Sequence, residues 1–256
     1  MIETMCVSRE DRRDSLFTSQ CYTFPSPILG ACRSISFMSQ PYTPTLRTRL
    51  VREADRAVYD REEAYRILDE GFLCHVGFAV EGQPYVIPTS YGRKDDCLFI
   101  HGSAASRMLR QMKEEVPVCI TVTLLDGLVL ARSIFNHSMN YRSVVVLGKA
   151  TLVDDPAQKI EALRLLSEHI IPGRWADSRQ PNERELKATS VLRVPIEEFS
   201  AKVRKGPVID DEADYSFPTW AGVVPLEMVA GEPIEDARML RGQRVPSYAR
   251  NYNRRR

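Results

Sequence analysis

Seven consecutive residues, His101-Gly102-Ser103-Ala104-Ala105-Ser106-Arg107, have the composition of an anion-binding turn. They follow a short apolar run, Cys97-Leu98-Phe99-Ile100, that reads as a strand. They precede Ala105, Met108, Leu109 and Met112, whose i, i+3, i+4, i+7 spacing is that of one helix face. A strand therefore ends in small residues that open a helix, with Ser103 as N-cap and Ser106 at the third helical position. Free N–H groups at that end, two hydroxyls and the Arg107 guanidinium together suit a phosphate. Taken alone, the same residues fit an ordinary capped helix with a surface arginine better, because such caps are common.

Other residues capable of chemistry are scattered. The four histidines stand at 75, 101, 137 and 169, and no CxxC pair accompanies them, so a structural metal site is not expected. His101, where a strand ends, can bond a ligand or serve as a satisfied core or capping residue. His137 reads as a loop histidine, His75 as a strand residue, and His169 as a helix-end residue whose cation would suit the helix dipole. Ser, His and Asp are present without a nucleophile elbow or other hydrolase signature. Lys202 and Arg204 alternate on one strand face, and a solvated face is their default reading.

The 256 residues are 43% hydrophobic and 27% charged, a composition that supports a real core and a soluble surface. Lys plus Arg is 35 against 34 for Asp plus Glu, a net charge of +1, which argues against a nucleic-acid partner. The single basic cluster, Arg254-Arg255-Arg256, reads as a solvated tail. No run approaches a membrane span. Residues 1–37 hold Cys6, Cys21 and Cys32, lack a signal-peptide core, and carry Glu3, Glu10, Asp11 and Asp14, which a transit peptide would avoid. Residues 1–43 are expected to be a disordered extension and 44–256 a single domain, with Met38 as a candidate start. Cys74, Cys97 and Cys119 lie in strand-like runs and read as small core residues in a reducing, cytoplasmic compartment.

The elements that would carry these residues follow from periodicity. Asp60 and Glu63 start a helix over Arg61 to Glu70 that Gly71 ends. Phe72 to Val80 alternates with its even positions apolar, and Glu81-Gly82 turns the chain. Gln83 to Tyr91 contains Pro84 and Pro88, so it must be an edge strand or be locally unpaired. Asp126-Gly127 reads as a hairpin turn between 118–125 and 128–131. Asn140 to Val153 is a long strand in which Gly148 allows a bend or bulge. Asp154-Asp155-Pro156 starts a helix with Ile160, Leu163, Ser167 and Ile170 on its core side and Leu166 widening that stripe, ending before Pro172. A helix from about Glu183 to Thr189 and strands at 191–196 and 199–204 complete the pattern. Many antiparallel strands with helices between them predict a mainly β fold of the α+β kind, a small barrel with helical additions. Without βαβ alternation or GxGxxG, a dinucleotide-type Rossmann fold is disfavoured.

In order along the chain, Pro84-Tyr-Val-Ile-Pro88-Thr-Ser-Tyr91, His101 to Arg107, Asp126-Gly-Leu-Val-Leu-Ala-Arg132, His137-Ser-Met-Asn-Tyr-Arg-Ser-Val144, Pro172-Gly-Arg-Trp175, Ser200 to Arg204 and Trp220-Ala-Gly222 form one set. This set resembles the pyridoxamine 5′-phosphate oxidase-like proteins, most nearly their Nim-type (5-nitroimidazole resistance) branch, over about residues 46–248. The resemblance implies an antiparallel split β-barrel that binds FMN, often at a homodimer interface. It implies that Val86, Ile87, Pro88 and Thr89 lie beside the flavin ring. It implies that His101, Gly102, Ser103, Ser106 and Arg107 hold the ribityl phosphate, and that Ser143 and Val144 touch the flavin or its tail. Trp220 would stack near the flavin or clamp the C-terminal segment.

The activity implied is flavin-dependent electron transfer to a small molecule, with no acid or base required of the side chains. A flavin-binding or flavin-buffering protein without turnover is the alternative, and a barrel that has lost FMN and serves as an interaction module is a third. Where many relatives carry Gly-Arg-Lys, this chain has Ser106-Arg107-Met108, so the second cation of the phosphate motif is absent. A hydrogen bond to a charged group contributes ~1.5–3 kcal/mol. Arg107→Ala is thus expected to weaken FMN roughly 10- to 150-fold, at ~1.4 kcal/mol per decade. Unchanged affinity in a fluorescence titration would remove Arg107 from the phosphate site.

Overall fold

The computed structural model describes residues 42–104 and 115–254. Nine antiparallel strands and four α-helices occur among them: β1 (Ala57–Val58), α1 (Arg61–Glu70), β2 (Leu73–Val80), β3 (Gln83–Lys94), β4 (Cys97–Ser103), β5 (Val116–Leu130), β6 (Ser138–Leu152), α2 (Pro156–Ile170), α3 (Glu183–Ala188), β7 (Thr189–Pro195), β8 (Glu198–Arg204), β9 (Gly222–Pro225) and α4 (Ser247–Arg250). The helix starts are the ones the sequence prescribes. The Asp60 carboxylate accepts from the Glu63 N–H, Asp155 accepts from Gln158 ahead of Pro156, and Asn182 with Glu185 forms a capping box. The β2–β3 turn works because Glu81 and Gly82 both take positive φ, 50° and 80°.

Six strands close a ring in the order β6, β7, β4, β3, β2, β5 and back to β6. β6 makes the ring possible. One of its edges pairs with β5 along most of its length. The other is divided: Tyr141–Leu147 pair with β8, and Thr151–Leu152 pair with β7. Gly148 stands at the division, where an added Cβ would lie 2.9 Å from the Pro195 carbonyl oxygen. The β5–β6 register runs unbroken through Gly148, so this glycine admits a close neighbour and does not mark a bulge.

The barrel encloses alternate residues such as Cys74, Val76, Ile100, Ile120, Val122, Val146 and Phe199, together with Ala64, Ile67 and Leu68 of α1. A second cluster lies between the outer side of β4–β7 (Phe99, Val191) and α2. There Gly92 of β3 lets the α2 backbone come close, since a Cβ on Gly92 would lie 3.1 Å from Leu166 Cα. This approach sets the helix phase. Leu166 is buried and Leu163 packs beside it as expected, but Ala162 is buried in place of Ile160, which is 39% exposed, so the core side is rotated away from Ile160.

Three other expectations are corrected. Asp126-Gly127 is not a hairpin turn: β5 continues through it as an extended strand, with Asp126 as the extra residue of a β-bulge between Leu125↔Tyr141 and Gly127↔Asn140. Neither residue takes positive φ, and β6 and β9 flank the strand there, leaving the chain no room to reverse. Tyr42, assigned to the extension, is docked, stacking on Phe199 at 4.0 Å and accepting from the Phe199 N–H at 3.0 Å. Arg254 is not a solvated tail. Its guanidinium donates to the carbonyls of Asp69, Glu70 and Gly71 at the end of α1 and of His169 and Ile170 at the end of α2.

His169 consequently does not supply the cation for its helix end. Its Nε2 bonds the Gly71 carbonyl at 2.7 Å and its ring lies against Tyr91, and burial pushes its pKa down to about 4, with Arg254 adding repulsion. The folded protein then binds fewer protons than the unfolded chain between the ordinary value of 6.5 and about 4. Stability is retained above pH 6.5 and falls as pH drops through that window, by roughly 3 kcal/mol in total. Urea denaturation at pH 7 and pH 4 should show a smaller loss for His169→Gln than for the parent. Equal losses would assign the acid sensitivity to other groups.

Candidate functional site

Because side chains alternate along a strand and directly opposed residues share a face, the register shows what lies together on the outside of the barrel. On β2 the even residues point into the core, which leaves Leu73, His75, Gly77 and Ala79 outward. On β3, Tyr85 and Ile87 pack on the core while Val86, 66% exposed, and Pro88 point out. β5 contributes Cys119, Thr121 and Thr123, and β6 contributes Ser143 and Val145. The pairs Pro88↔His75, His75↔Thr121 and Thr121↔Val145 make one row across four strands. The pairs Ser90↔Leu73, Thr123↔Ser143 and Ser143↔Lys202 belong to the next. The face between β3 and β6 is therefore flat, paved mainly with Gly, Cys, Thr, Ser and Val.

At one border of this face the sheet forks. β3 and β4 pair only over Tyr91–Lys94 and Ile100–Cys97. Beyond that point β3 follows β2, and β4 follows β7 through His101↔Val191, Gly102↔Ser190 and Ser103↔Thr189. Among the described residues, 83–90, with both prolines, thus have a strand on one side only, which agrees with the edge expected from Pro84 and Pro88. β4 runs three residues past Ile100, so His101 to Ser103 belong to the strand and not to a turn. Continued register would set His101 beside Ser90, on the outer face. His101 Nδ1 is buried and has no hydrogen-bond partner among the described residues, and burial lowers its pKa, which keeps the ring neutral.

The expected site residues divide accordingly. Val86, Pro88, His101, Ser103 and Ser143 belong to the outer face or its fork. Ile87 turns inward, Thr89 lies opposite the buried Cys74, and Val144 is fully buried in the barrel, so the Val144 side chain is a packing residue with no face open to a ligand. Gly102 offers only backbone. Trp220 is 67% exposed with its ring folded over Gly222 of β9, where an added Cβ would meet the ring at 2.8 Å. Ser106 and Arg107 lie outside the described residues. His137 bonds the Ala131 carbonyl at 3.1 Å, as a loop histidine would.

A cavity of about 380 Å³ continues the face at the start of β2, lined by Leu73, His75, Thr123, Leu125 and Met228 among others. Arg142 stands in its wall, held by Asp126 at 2.8–2.9 Å and by a second, two-pronged pair to Glu70. These bonds raise the Arg142 pKa further, so it is a fixed and locally neutralised cation. The motifs did not single out His75 or Arg142 as site residues. The signal for His75 was its odd position in a strand whose even positions are apolar. Arg142 had no local signal, because its partners come from a bulge and a helix end. Among the described residues no cluster of three or more His, Cys, Asp or Glu could hold a metal, and no helix is long and apolar enough to cross a membrane.

Comparison with known proteins agrees with this architecture. A family model described as pyridoxamine 5′-phosphate oxidase matches residues 60–203, more than half of the chain. No curated protein matches closely enough to count as a relative. The solved structure of the flavocytochrome Anf3 from Azotobacter vinelandii is 42% identical over 83% of this chain and 99% of its own, with a TM-score of 0.78. The FAD and heme binding protein from Mycobacterium smegmatis is 35% identical over 77% of this chain and 96% of its own, with a TM-score of 0.73. A candidate 5-nitroimidazole antibiotic resistance protein from Bacteroides thetaiotaomicron is 26% identical over 57% of this chain and 86% of its own, with a TM-score of 0.49. Ladder, fork and motif order are thus those of one family, and the chain belongs to the pyridoxamine 5′-phosphate oxidase-like split-barrel proteins.

Proposed function

We propose that this chain is a flavin-binding redox protein that passes electrons to a small molecule, with the flavin on the outer face between β3 and β6. The observation that carries the reading is the fork. The backbone of Val86 to Thr89, which has a second strand on one side only among the described residues, lies at the fork beside His101, whose buried Nδ1 lacks a partner among the described residues. A planar, polar-edged ligand would satisfy both at once. The two relatives named for flavocytochrome and FAD binding support the same choice over most of the chain. The part of the cofactor addressed here, ring plus ribityl phosphate, is common to FMN and FAD, and FMN is our assignment from the phosphate motif.

When bound, a flavin supplies hydride or electron transfer, and the protein supplies binding, orientation and electrostatics. Backbone groups of Val86 to Thr89 would position the ring edge. Neutral His101 would hold one polar atom, and Ser103, Ser106 and Arg107 the phosphate. The short side chains of Gly77, Thr121 and Ser143 leave the face level. In the same reading a second copy of the chain covers the face, since its side chains are only half-buried and Leu128, Met139 and Val224 form an exposed apolar row across β5, β6 and β9.

Purified protein should be yellow, elute as a dimer and release flavin on denaturation. It should bleach anaerobically with NADH or NADPH and reoxidise with an acceptor. Bound flavin that no donor reduces would favour the non-catalytic alternative, and a colourless protein that cannot be reconstituted would reject both. His101→Leu should weaken flavin roughly 2- to 10-fold, for a hydrogen bond of ~0.5–1.5 kcal/mol.

A second cofactor is favoured by the cavity. Two side chains able to ligate haem iron, His75 and Met228, line one mainly apolar space, and the two relatives similar over most of this chain are named for haem as well as flavin. The donor set fits a haem, which would supply one-electron chemistry next to the flavin face, since His75 lies directly opposite Pro88. Hemin titrated into the protein should give a sharp Soret band that His75→Ala shifts or abolishes. An identical spectrum in the variant would remove His75 as the ligand.

A further inference from the structure

We propose that the C-terminal segment is a latch on this cavity, fastened by Arg254. The proposal rests on the cavity being a cofactor site, and its fastening is visible in the bonds. The five N–H groups of the guanidinium face five carbonyls: Glu70 at 2.9 Å, Asp69 at 2.7 Å, Gly71 at 2.8 Å, Ile170 at 3.3 Å and His169. These oxygens are the exposed negative ends of two helices. α1 has no basic residue in its last turn, and α2 has only His169, which is neutral. Arg254 therefore supplies the positive charge that both helix ends lack.

The same side chain is part of the cavity wall. Its guanidinium lies 5.3 Å from the Phe72 ring centroid, and Phe72, Arg254, Leu226 and Met228 line one side of the space. The wall is not packed from behind. A second void of about 510 Å³ separates residues 227–230 from residues 250–254 of the same segment. The inner run is held at its start by the Leu226 N–H donating to the Asp126 carbonyl at 3.0 Å, and the outer run by Tyr252 Oη donating to the Ile170 carbonyl at 2.7 Å. Val229 and Met228 are each 78% exposed. If the guanidinium lets go, residues 250–254 are freed from the two helix ends and the two voids join, while the barrel keeps every strand pair.

Hydrogen-exchange mass spectrometry on the full chain tests this directly. Arg254→Ala should speed exchange in residues 249–251, whose N–H groups bond the Pro246 and Ser247 carbonyls, about tenfold or more, as expected for losing a charged hydrogen-bond set of at least ~1.4 kcal/mol. Residues 118–124 and 141–147 of the barrel should be unaffected. Arg254→Lys, which keeps the charge but not the fork, should fall between. Hemin loaded into the protein and captured by excess apomyoglobin should leave the Ala variant faster by a similar factor. Unchanged exchange at 249–251, or acceleration spread equally through the barrel, overturns the latch. If the parent binds no hemin but the exchange contrast is seen, the latch stands and the haem assignment falls.

Discussion

One strand edge with two partners governs this molecule. β6 is bonded to β5 along one side, but its other side is given first to β8 and then to β7. A β-strand edge can pair with one neighbour at a time, so the sheet must separate where the partners change. Gly148 makes the change sterically feasible, because any side chain there would strike Pro195. The split lets a nine-stranded sheet both close on itself and extend, through β8 and β1, past the closed ring. The same division recurs between β3 and β4, where the ladder stops at Tyr91 and Ile100 and leaves, among the described residues, Val86 to Thr89 with a strand on one side only and a buried imidazole nitrogen without a partner.

The outer face and the cavity are consequences of what the interior requires. Every apolar residue directed into the barrel by the two-residue period places its neighbour outside, and along β2, β5 and β6 those neighbours are mostly small. Flatness, exposed backbone at the fork and an apolar recess at the start of β2 then come as one piece of surface. The charges at the recess are paired internally: Arg142 with Glu70 and Asp126, and Arg254 with helix carbonyls.

Much of the fold was legible because it is written locally. Helix caps at Asp60, Asp155 and Asn182, the positive-φ pair Glu81-Gly82 and the alternation of β2 all behave as their chemistry demands. What could not be read depends on partners far along the chain. Asp126-Gly127 has the composition of a hairpin turn, yet β6 and β9 on either side hold it straight. The phase of α2 is set by Gly92, more than sixty residues earlier. Arg254 reads as a tail because nothing nearby shows the two helix ends it caps. The site followed the same rule. The motif residues of the outer face and fork lie on β3, β4 and β6, while His75 and Arg142 come beside them only where register puts β2, β5 and β6 side by side.

The bulge at Asp126 divides β5 into two reading frames. Before it, even-numbered residues such as Ile120 and Val122 are buried; after it the odd-numbered Val129 is buried and Leu128 is turned out. Removing or adding one residue in this strand would put one half of it inside out, since a shift of one position exchanges the two faces. The spacing between Val122 and Val129 is thus as strongly determined as any side chain in the barrel. Changes in length that preserve the fold are confined to the loops, and the cavity wall formed by Thr123, Leu125 and Asp126 keeps its dimensions for the same reason.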